Sequence, residues 1–490
     1  MQDAERVALR TKIAWGVGSA AERIALTAVG AFAMFYYNQV LGVPATLAGL
    51  AITVSLVLDG LTDPLMGSIS DRTRSRWGRR HPYMFVAPLP IALSMVAIFN
   101  PPPGIAEIWL FVWFAAFVTT LRLAMTVYHT PHLALGGELS KSYTERSAVM
   151  AYNTFFGFTA DSVIKWVAFT FFFAATAEYE RGLMNPRAYA PFAYTIAGVA
   201  LSALLASAYF TRDQIPRLPR PPEDLPRFSP KEFVKDIGRA FRNVNYVYLL
   251  IAFFFLSCTL GMRDGLLLYV QTFFWDLHSA QIRWFVLGNI CGFIFSFLTV
   301  ARLHGRFDKR RTIVAAGVVM VLSPAILPLL RVLGVIPAGE PWILPALIAM
   351  TAVTQGAMTL LGITVMSALA DIADENELKF GVRQEGVLYS TRTLFSKIDM
   401  AIGSMLVGVS LDLIQFPKSA KPGSVSTGTL DALALVDALV PILPGLVAVY
   451  FYSRYRIDRA TFETTRRALD SARTEGKAPV RAAGPTTIGG

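Results

Sequence analysis

Long apolar runs recur along the whole chain, and a short polar segment separates each run from the next. Twelve of these runs are long enough, at roughly 20 helical residues each, to cross about 30 Å of hydrocarbon. They begin near residues 13, 45, 82, 106, 148, 190, 244, 280, 312, 341, 387 and 432. The pattern predicts an all-α membrane protein with twelve transmembrane helices.

One polar interval, residues 212–243, is longer than the others and combines prolines, charges and the amphipathic stretch KEFVKDIGRAF. It predicts a six-helix half over 1–211, a cytoplasmic linker over 212–243, a second six-helix half over 244–453 and a cytoplasmic tail over 454–490. A weak repeat supports the division, since GSISDRTRSRWGRR follows the second span and RLHGRFDKRR follows the eighth. Two halves of six spans are the arrangement of the major facilitator fold.

The composition agrees with a membrane protein. Of 490 residues, 54% are hydrophobic and only 16% are charged, with a mean hydropathy of +0.48, whereas soluble domains carry about 25% charged residues. The first apolar run is too long for a signal peptide and should remain as the first span. Cys258 and Cys291 both lie within apolar runs, so they indicate neither a disulfide framework nor a metal site.

The net charge of +11 is concentrated in alternate connections between the apolar runs. The positive-inside rule then predicts that both termini are cytoplasmic. We expect the protein to lie in a bacterial inner (plasma) membrane, in contact with its lipids. Orientation alone accounts for the basic charge, so no nucleic-acid partner is expected. A monomer suits this architecture.

Two acids stand inside the second apolar run. Asp59 and Asp63 are four residues apart, so they project from one face of a helix. A carboxylate deep in a bilayer costs about 2.5 to 3.5 kcal/mol on insertion scales, and two side by side need a cation. Pro64 frees a backbone carbonyl nearby. Such oxygen ligands suit sodium or a proton better than a transition metal.

The basic loop that follows carries a small-x-x-x-Asp-Arg-x-x-x-Arg pattern. It resembles the signature of the major facilitator superfamily between the second and third spans. The resemblance implies a latch between helix ends that breaks as the two halves rock; the alternative is that these arginines only set the topology. The gating candidates here are Gly67, Asp71, Arg72, Arg76 and Arg79.

Four longer stretches are similar to one family within that superfamily. DGLTDPLMGSISDRTRSRWGRRHPY has the most specific pattern, and WGVGSAAERIALTAVG, TPHLALGGELSKSYTERS and LADIADENELKFGVRQEG accompany it. Together they resemble the glycoside-pentoside-hexuronide (GPH):cation symporters, typified by the melibiose permease, across both halves. The resemblance implies that Asp59, Asp63, Thr126 and Lys397 form the cation site. A lysine in an apolar helix also needs carboxylate partners; a permanent ion-paired cluster is the alternative.

The family's sugar-binding positions are changed in this chain. Where family members carry aspartates in the first and fourth spans, this sequence has Arg23, preceded by Glu22, and His129. Thr154 replaces an arginine of the fifth span. Arg122 shares a helical face with His129. A surplus of arginine and histidine suits an anionic substrate, because arginine binds carboxylate or phosphate in a bidentate way.

Each polar side chain also has a structural reading, in which Glu22 pairs with Lys165 and Arg23 pairs with Asp161. Tyr128 and Trp166 are candidates for stacking on a sugar ring, although aromatic residues in membrane helices are more often packing residues. In the loop before the eleventh span, Asp374 and Arg383 match a gate element of the family, and a solvated charge run is the alternative.

The sequence therefore predicts a cation-coupled secondary transporter that moves a sugar or glycoside, including anionic uronide-like compounds, by alternating access. The competing hypotheses are transport of a lysolipid or another amphipathic anion, and a membrane sensor that does not transport. An enzyme is not expected, because the five histidines show no HExxH-like spacing. No cofactor is expected beyond a coupling sodium ion or proton.

Overall fold

The structure is a computed structural model that describes residues 6–140, 142–218, 238, 241–337, 339–380, 385–457 and 459–474. Across these residues every regular element is a helix. Twelve helices are long and apolar enough to cross a membrane, which confirms the predicted number of spans.

The spanning helices are numbered α1 to α12 in chain order. They are α1 Leu9–Val40, α2 Ala45–Arg72, α3 His81–Phe99, α4 Glu107–Glu138, α5 Ala148–Phe172, α6 Pro186–Arg217, α7 Val244–Phe274, α8 Ser279–Arg306, α9 Lys309–Val332, α10 Ile343–Lys379, α11 Thr391–Leu413 and α12 Thr427–Ser453. A polar helix, α13, follows over Arg459–Thr474.

Local sequence explains where several spans begin. Asn185 caps α6 by accepting a hydrogen bond from the backbone N–H of Arg187, and Pro186 occupies the first helical position. Asn243 caps α7 in the same way, and Asp308 caps α9. The first spans of the two halves, α1 and α7, both end in a π-helical turn, at Tyr36–Val40 and Val270–Phe274. The fifth span, α5, ends in the same kind of turn, at Ala168–Phe172.

The predicted linker lies between the end of α6 and the start of α7. Most of the stretch KEFVKDIGRAF lies outside the described residues, so its prediction as a surface helix stays a prediction. The tail beyond α13 also lies outside them.

The main seam between the halves joins α2 to α11. Small residues let the two backbones approach: a methyl group on Gly49 would lie 2.7 Å from the carbonyl oxygen of Ser404, and one on Gly408 would lie 2.5 Å from that of Ala45. The Thr53 hydroxyl donates a hydrogen bond across the seam to the carbonyl oxygen of Ala401, at 2.9 Å. Close packing here brings polar side chains of the two halves within reach of each other.

Further contacts join the halves where α1 ends and α2 begins, which we call the distal end. The Tyr269 hydroxyl donates to Asn38 Oδ1 at 3.0 Å. Gln39 donates to the carbonyl of Pro417 at 3.2 Å and accepts from the backbone N–H of Ala420 at 3.1 Å. Two further polar contacts at this end are Arg181 with Asp276, and the backbone N–H of Thr46 with Asp412. The distal end is therefore closed.

Candidate cation and substrate site

Four polar side chains meet inside the bundle, two from α2 and one each from α4 and α11. The Lys397 Nζ lies 2.8 Å from Asp59 Oδ2 and 2.6 Å from Asp63 Oδ2. The Thr126 hydroxyl donates to Asp59 Oδ1 and lies 3.2 Å from Asp63 Oδ1. We call these four residues the carboxylate cluster. Two carboxylates and one ammonium leave it with one net negative charge.

The Thr126 hydroxyl has one proton but two carboxylate neighbours. Once that proton is donated to Asp59, only oxygen lone pairs face Asp63 Oδ1. Two carboxylate oxygens thus lie within hydrogen-bonding distance of one hydroxyl that has a single proton, an arrangement that a small cation or a proton would stabilise.

The helices hold this cluster together for identifiable reasons. Gly60 lets α11 approach, since a methyl group there would lie 3.3 Å from Leu394 and 3.5 Å from the Lys397 side chain. Pro64 lies inside α2 and has no N–H to donate to the carbonyl of Gly60, one turn earlier. The carbonyl of Gly60, next to Asp59, therefore lacks its usual intrahelical donor.

Arg122 and His129 flank the cluster on α4. Arg122 lies close enough to Asp59 to act on it electrostatically, and no carboxylate among the described residues lies within ion-pair distance of it. The His129 side chain remains 47% exposed although it lies within a spanning helix, and Asp63 and Lys397 are within electrostatic range of its ring. Both residues lie on the face of α4 that also carries Thr126.

Glu22 of α1 contacts two histidines of α4. Its Oε2 lies 2.6 Å from Nδ1 of His129 in a hydrogen bond. Its Oε1 lies 2.7 Å from Nδ1 of His132, without hydrogen-bond alignment. His132 is fully buried, and its Nε2 lies 3.0 Å from the carbonyl oxygen of Trp15. Glu22 pairs with histidine here, not with Lys165.

A second polar group lies on α5 and α1. Lys165 pairs with Asp161 at 2.9 Å, and the Thr27 hydroxyl donates to the same carboxylate at 2.6 Å. Arg23, the expected partner of Asp161, is exposed and lies within electrostatic range of it. A cavity of about 110 Å³ adjoins this group between the two halves. Its polar lining includes Lys165, Asp264, Gln271, Arg283, Asn289 and Thr351.

The remaining substrate candidates lie elsewhere. Tyr128 is fully buried, and its hydroxyl donates to the carbonyl of Leu204 at 3.2 Å. Trp166 packs edge-to-face on Phe171. The Thr154 hydroxyl donates back to its own helix at Met150, at 3.3 Å. None of these three contacts involves the carboxylate cluster.

The basic loop after α2 makes ion pairs within the first half. Arg80 contacts Asp71 at 2.5 Å and Glu138 at 2.7 Å, and it donates to the Ser70 hydroxyl. Arg79 also contacts Glu138, at 2.7 Å. The carboxylate at the end of α4 thus holds two arginines of the loop, and Asp71 is part of the same group.

The other gating candidates are Gly67, Arg72, Arg76, Asp374 and Arg383. A methyl group on Gly67 would lie 3.7 Å from Thr130, so this glycine faces α4. The guanidinium of Arg76 lies 5.8 Å from the Trp77 ring. Arg72 and Asp374 both take part in interactions. Arg383 lies outside the described residues.

Three functional candidates were missed by sequence reasoning. His132 follows His129 by three residues on the same helix face, and this spacing was an available signal. Glu138 ends α4 among glycines and gives no pattern of its own. Asp399 is fully buried two residues after Lys397, and within the described part of the chain neither of its carboxylate oxygens has a hydrogen-bond partner.

Comparison with known proteins decides the family. Residues 14–459 match the family described as MFS/sugar transport protein. The chain belongs to this family. It is an integral membrane transporter of the major facilitator superfamily and not an enzyme.

Individual relatives agree with this assignment over nearly the whole chain. The putative glycoside/cation symporter YagG of Escherichia coli is 25% identical over 95% of each chain. The isoprimeverose transporter of Lactiplantibacillus pentosus is 22% identical over 91% of this chain and 89% of its own. These matches confirm the predicted resemblance to the GPH symporters.

A solved structure supports the fold. The nucleoside transporter NupG superposes with a TM-score of 0.62, covering 92% of this chain and 99% of its own, at 13% identity. The twelve-span major facilitator fold predicted from the sequence is therefore confirmed.

Proposed function

We propose that this family member is a symporter that couples the downhill movement of sodium or a proton to transport of a sugar or glycoside. The observation that carries the proposal is the carboxylate cluster, because it combines an oxygen-lined site, a net negative charge and a contact between the two halves. Its acids belong to α2 of the first half and its lysine to α11 of the second.

The cluster suggests how cation binding and movement are linked. Lys397 and an incoming cation compete for the same two carboxylates, so a bound cation weakens the ion pairs that join α2 to α11. The halves then become freer to rock, as alternating access requires. Release of the cation restores the pairs. The membrane potential contributes about 2.3 kcal/mol per charge per 100 mV to each inward cycle.

We assign substrate binding to the space between the two halves. Arg23, Arg122 and His129 lie on one side of this space, and the cavity beside Lys165 and Asp264 lies on the other. Mixed carboxylate, amide and basic groups suit sugar hydroxyls, which both donate and accept hydrogen bonds. Arg23 and Arg122 add positive charge that favours an anionic, uronide-like glycoside. Glu22 orients His129 through its hydrogen bond. Tyr128, Trp166 and Thr154 have supporting roles at most.

The orientation is proposed from the charge pattern: both termini in the cytoplasm and the distal end outside. The closed distal end then corresponds to an inward-facing conformation. The latch proposed at the opposite, proximal end contains Gly67, Asp71, Arg72, Arg76 and Arg79, and Asp374 and Arg383 are its proposed partners in the second half. The protein is expected to act as a monomer in lipid of the bacterial inner membrane.

The test is uptake into proteoliposomes with an imposed sodium or proton gradient. The substrate panel contains neutral glycosides, uronides and a lysolipid, and the variants are Asp59→Asn and Asp63→Asn. We expect one sugar class to accumulate only with a gradient of one cation, and the variants to lose that accumulation. Asp213→Asn, an exposed carboxylate at the end of α6, is the matched control and should behave as wild type.

Other results would contradict parts of the proposal. Accumulation of lysolipid alone would replace the sugar assignment while keeping the coupling site. Wild-type accumulation by both carboxylate variants would show that the cluster is structural. Binding without gradient-driven accumulation would favour a sensor.

A further inference from the structure

Glu22 contacts two histidines, and its contact with His132 requires a proton beyond those carried by a carboxylate and two neutral imidazole rings. The Nε2 of His132 lies 3.0 Å from the carbonyl oxygen of Trp15. A carbonyl can only accept, so Nε2 carries a hydrogen. In a neutral ring the other nitrogen, Nδ1, would then present a lone pair to the Glu22 carboxylate 2.7 Å away.

Two lone pairs at that distance repel each other, in a site that is closed to water. Glu22 and His132 are both buried, and Trp15 stacks on the His132 ring with centroids 5.2 Å apart. The contact is stable only if a proton is present, either on Nδ1 to give an imidazolium–carboxylate pair or on Glu22 to give a neutral pair. In both cases the three residues hold one proton more than a carboxylate with two neutral rings.

Among the described residues, no carboxylate other than Glu22 contacts His132, and a further acid near this group is Asp213 of α6, which acts on His81. On α1 they are Trp15, Gly18 and Glu22; on α4, Tyr128 and His129. His81 of α3 is within electrostatic range, and it bonds Thr211 of α6 at 3.1 Å. From α2 and α11, Asp63 and Lys397 act on His129. Glu22 is therefore the carboxylate in contact with both histidines.

His129 links this buried pair to the open space. Its Nδ1 contacts Glu22 and its side chain is 47% exposed; proton exchange through this ring requires that Nε2 faces water in the space between the halves. We propose that Glu22, His129 and His132 form a second proton-binding site, separate from the carboxylate cluster, which keeps one proton between Glu22 and His132 and exchanges another through His129. A proton taken from water onto Nε2 returns to water by the same atom.

The site can be tested without knowledge of the substrate. The full chain in lipid nanodiscs is labelled with ¹⁵N-histidine, and the ring signals of its five histidines are assigned with single His→Gln variants. We expect His132 to carry two ring protons at neutral pH and to lose one in Glu22→Gln, because the amide offers no counter-charge. The ring signal of His304, which lies in the second half and contacts the Thr364 hydroxyl at 2.9 Å, should stay unchanged in Glu22→Gln.

Two outcomes support the site and two overturn it. A neutral His132 together with an infrared band of a protonated carboxylic acid that disappears in Glu22→Gln would place the proton on Glu22. A neutral His132 with ionised Glu22 would overturn the proposal, as would a doubly protonated His132 that Glu22→Gln leaves unaffected. If Glu22→Gln fails to fold, the number of ring protons on His132 in the wild type, read together with the carboxylic acid band, still separates a site that holds the extra proton from one that does not.

The consequence for transport rests on the proposed function. With sodium held saturating, we expect uptake by the wild type to change severalfold between about pH 5 and pH 8, the range over which histidines titrate, and the profile of His129→Gln to be flat. His304→Gln, in the second half, should keep the wild-type profile. Complete failure of uptake would contradict the proposed function. The protonation of His132, read from the ¹⁵N nuclear magnetic resonance signals of the histidine rings, would remain valid.

Discussion

Replacing Thr126 with valine removes one hydroxyl from the carboxylate cluster and keeps the β-branched shape. Thr126 is buried and donates to Asp59 in the structure. A hydrogen bond to a charged group contributes about 1.5–3 kcal/mol, and each 1.4 kcal/mol is a factor of ten in affinity. The substitution is therefore expected to change cation binding by about 10-fold to 100-fold.

The direction of the change depends on the coupling ion. A bound sodium ion loses an oxygen ligand, so its apparent affinity falls by that factor. A coupling proton behaves in the opposite way, because the Asp59 carboxylate loses a donor and holds a proton more tightly. In that case the pH of half-maximal proton-driven uptake moves in the alkaline direction by about one to two units.

The assay is initial-rate uptake as a function of sodium concentration and of pH. Thr120→Val is the matched control, since this threonine lies exposed on the same helix and its hydroxyl donates only to the backbone of Ala116, at 2.8 Å. Thr126→Ser keeps a hydroxyl and should recover most of the affinity. Sodium and pH curves for Thr126→Val that coincide with those for Thr120→Val would refute the role of this oxygen.

Three further predictions concern packing, gating and pH. Gly49→Ala places a methyl group 2.7 Å from the backbone of Ser404 and should lower the free energy of unfolding by about 1–3 kcal/mol; Gly30→Ala, which meets nothing within 4 Å, should leave thermal unfolding unchanged. Arg181→Ala removes the contact with Asp276 and should increase the population with an open distal end by up to about fivefold. The measurement is the rate at which a thiol reagent alkylates the introduced cysteine in a Phe35→Cys variant that lacks both native cysteines. Arg187→Ala is the control. The hydrogen bond from Lys12 holds the pKa of Glu145 below its usual range, so the stabilising pair is complete above about pH 4.5 and is lost as pH falls further. Glu145→Gln should therefore lower the unfolding midpoint at neutral pH and make no difference in strong acid; an equal effect at both pH values would contradict this.

Much of the site was predictable because burial of charge in hydrocarbon is costly. Asp59 and Asp63 in one apolar run indicated a cation site, and the resemblance to the GPH symporters selected Thr126 and Lys397, which the structure places in contact with those acids. Twelve apolar runs of sufficient length determined the number of spans for the same reason.

Partner choice was less predictable. Periodicity places Glu22 and Lys165 on helix faces, but it does not say which neighbouring helix each one meets. In the structure Glu22 contacts His129 and His132, whereas Lys165 contacts Asp161 one turn away. Tyr128, a candidate for stacking on a sugar, shares its helix face with buried neighbours and donates its hydroxyl to Leu204.

The sequence by itself determined the number of membrane spans and the acids that need a counter-charge, because these follow from length, hydropathy and the cost of charge in lipid. Only the tertiary structure decided which charges neutralise one another. The approach of α11 to α2 over Gly60 brings Lys397 to Asp59 and Asp63 from a distance of more than 300 residues along the chain. Such contacts depend on the packing of helices, for which a single sequence carries no local signal.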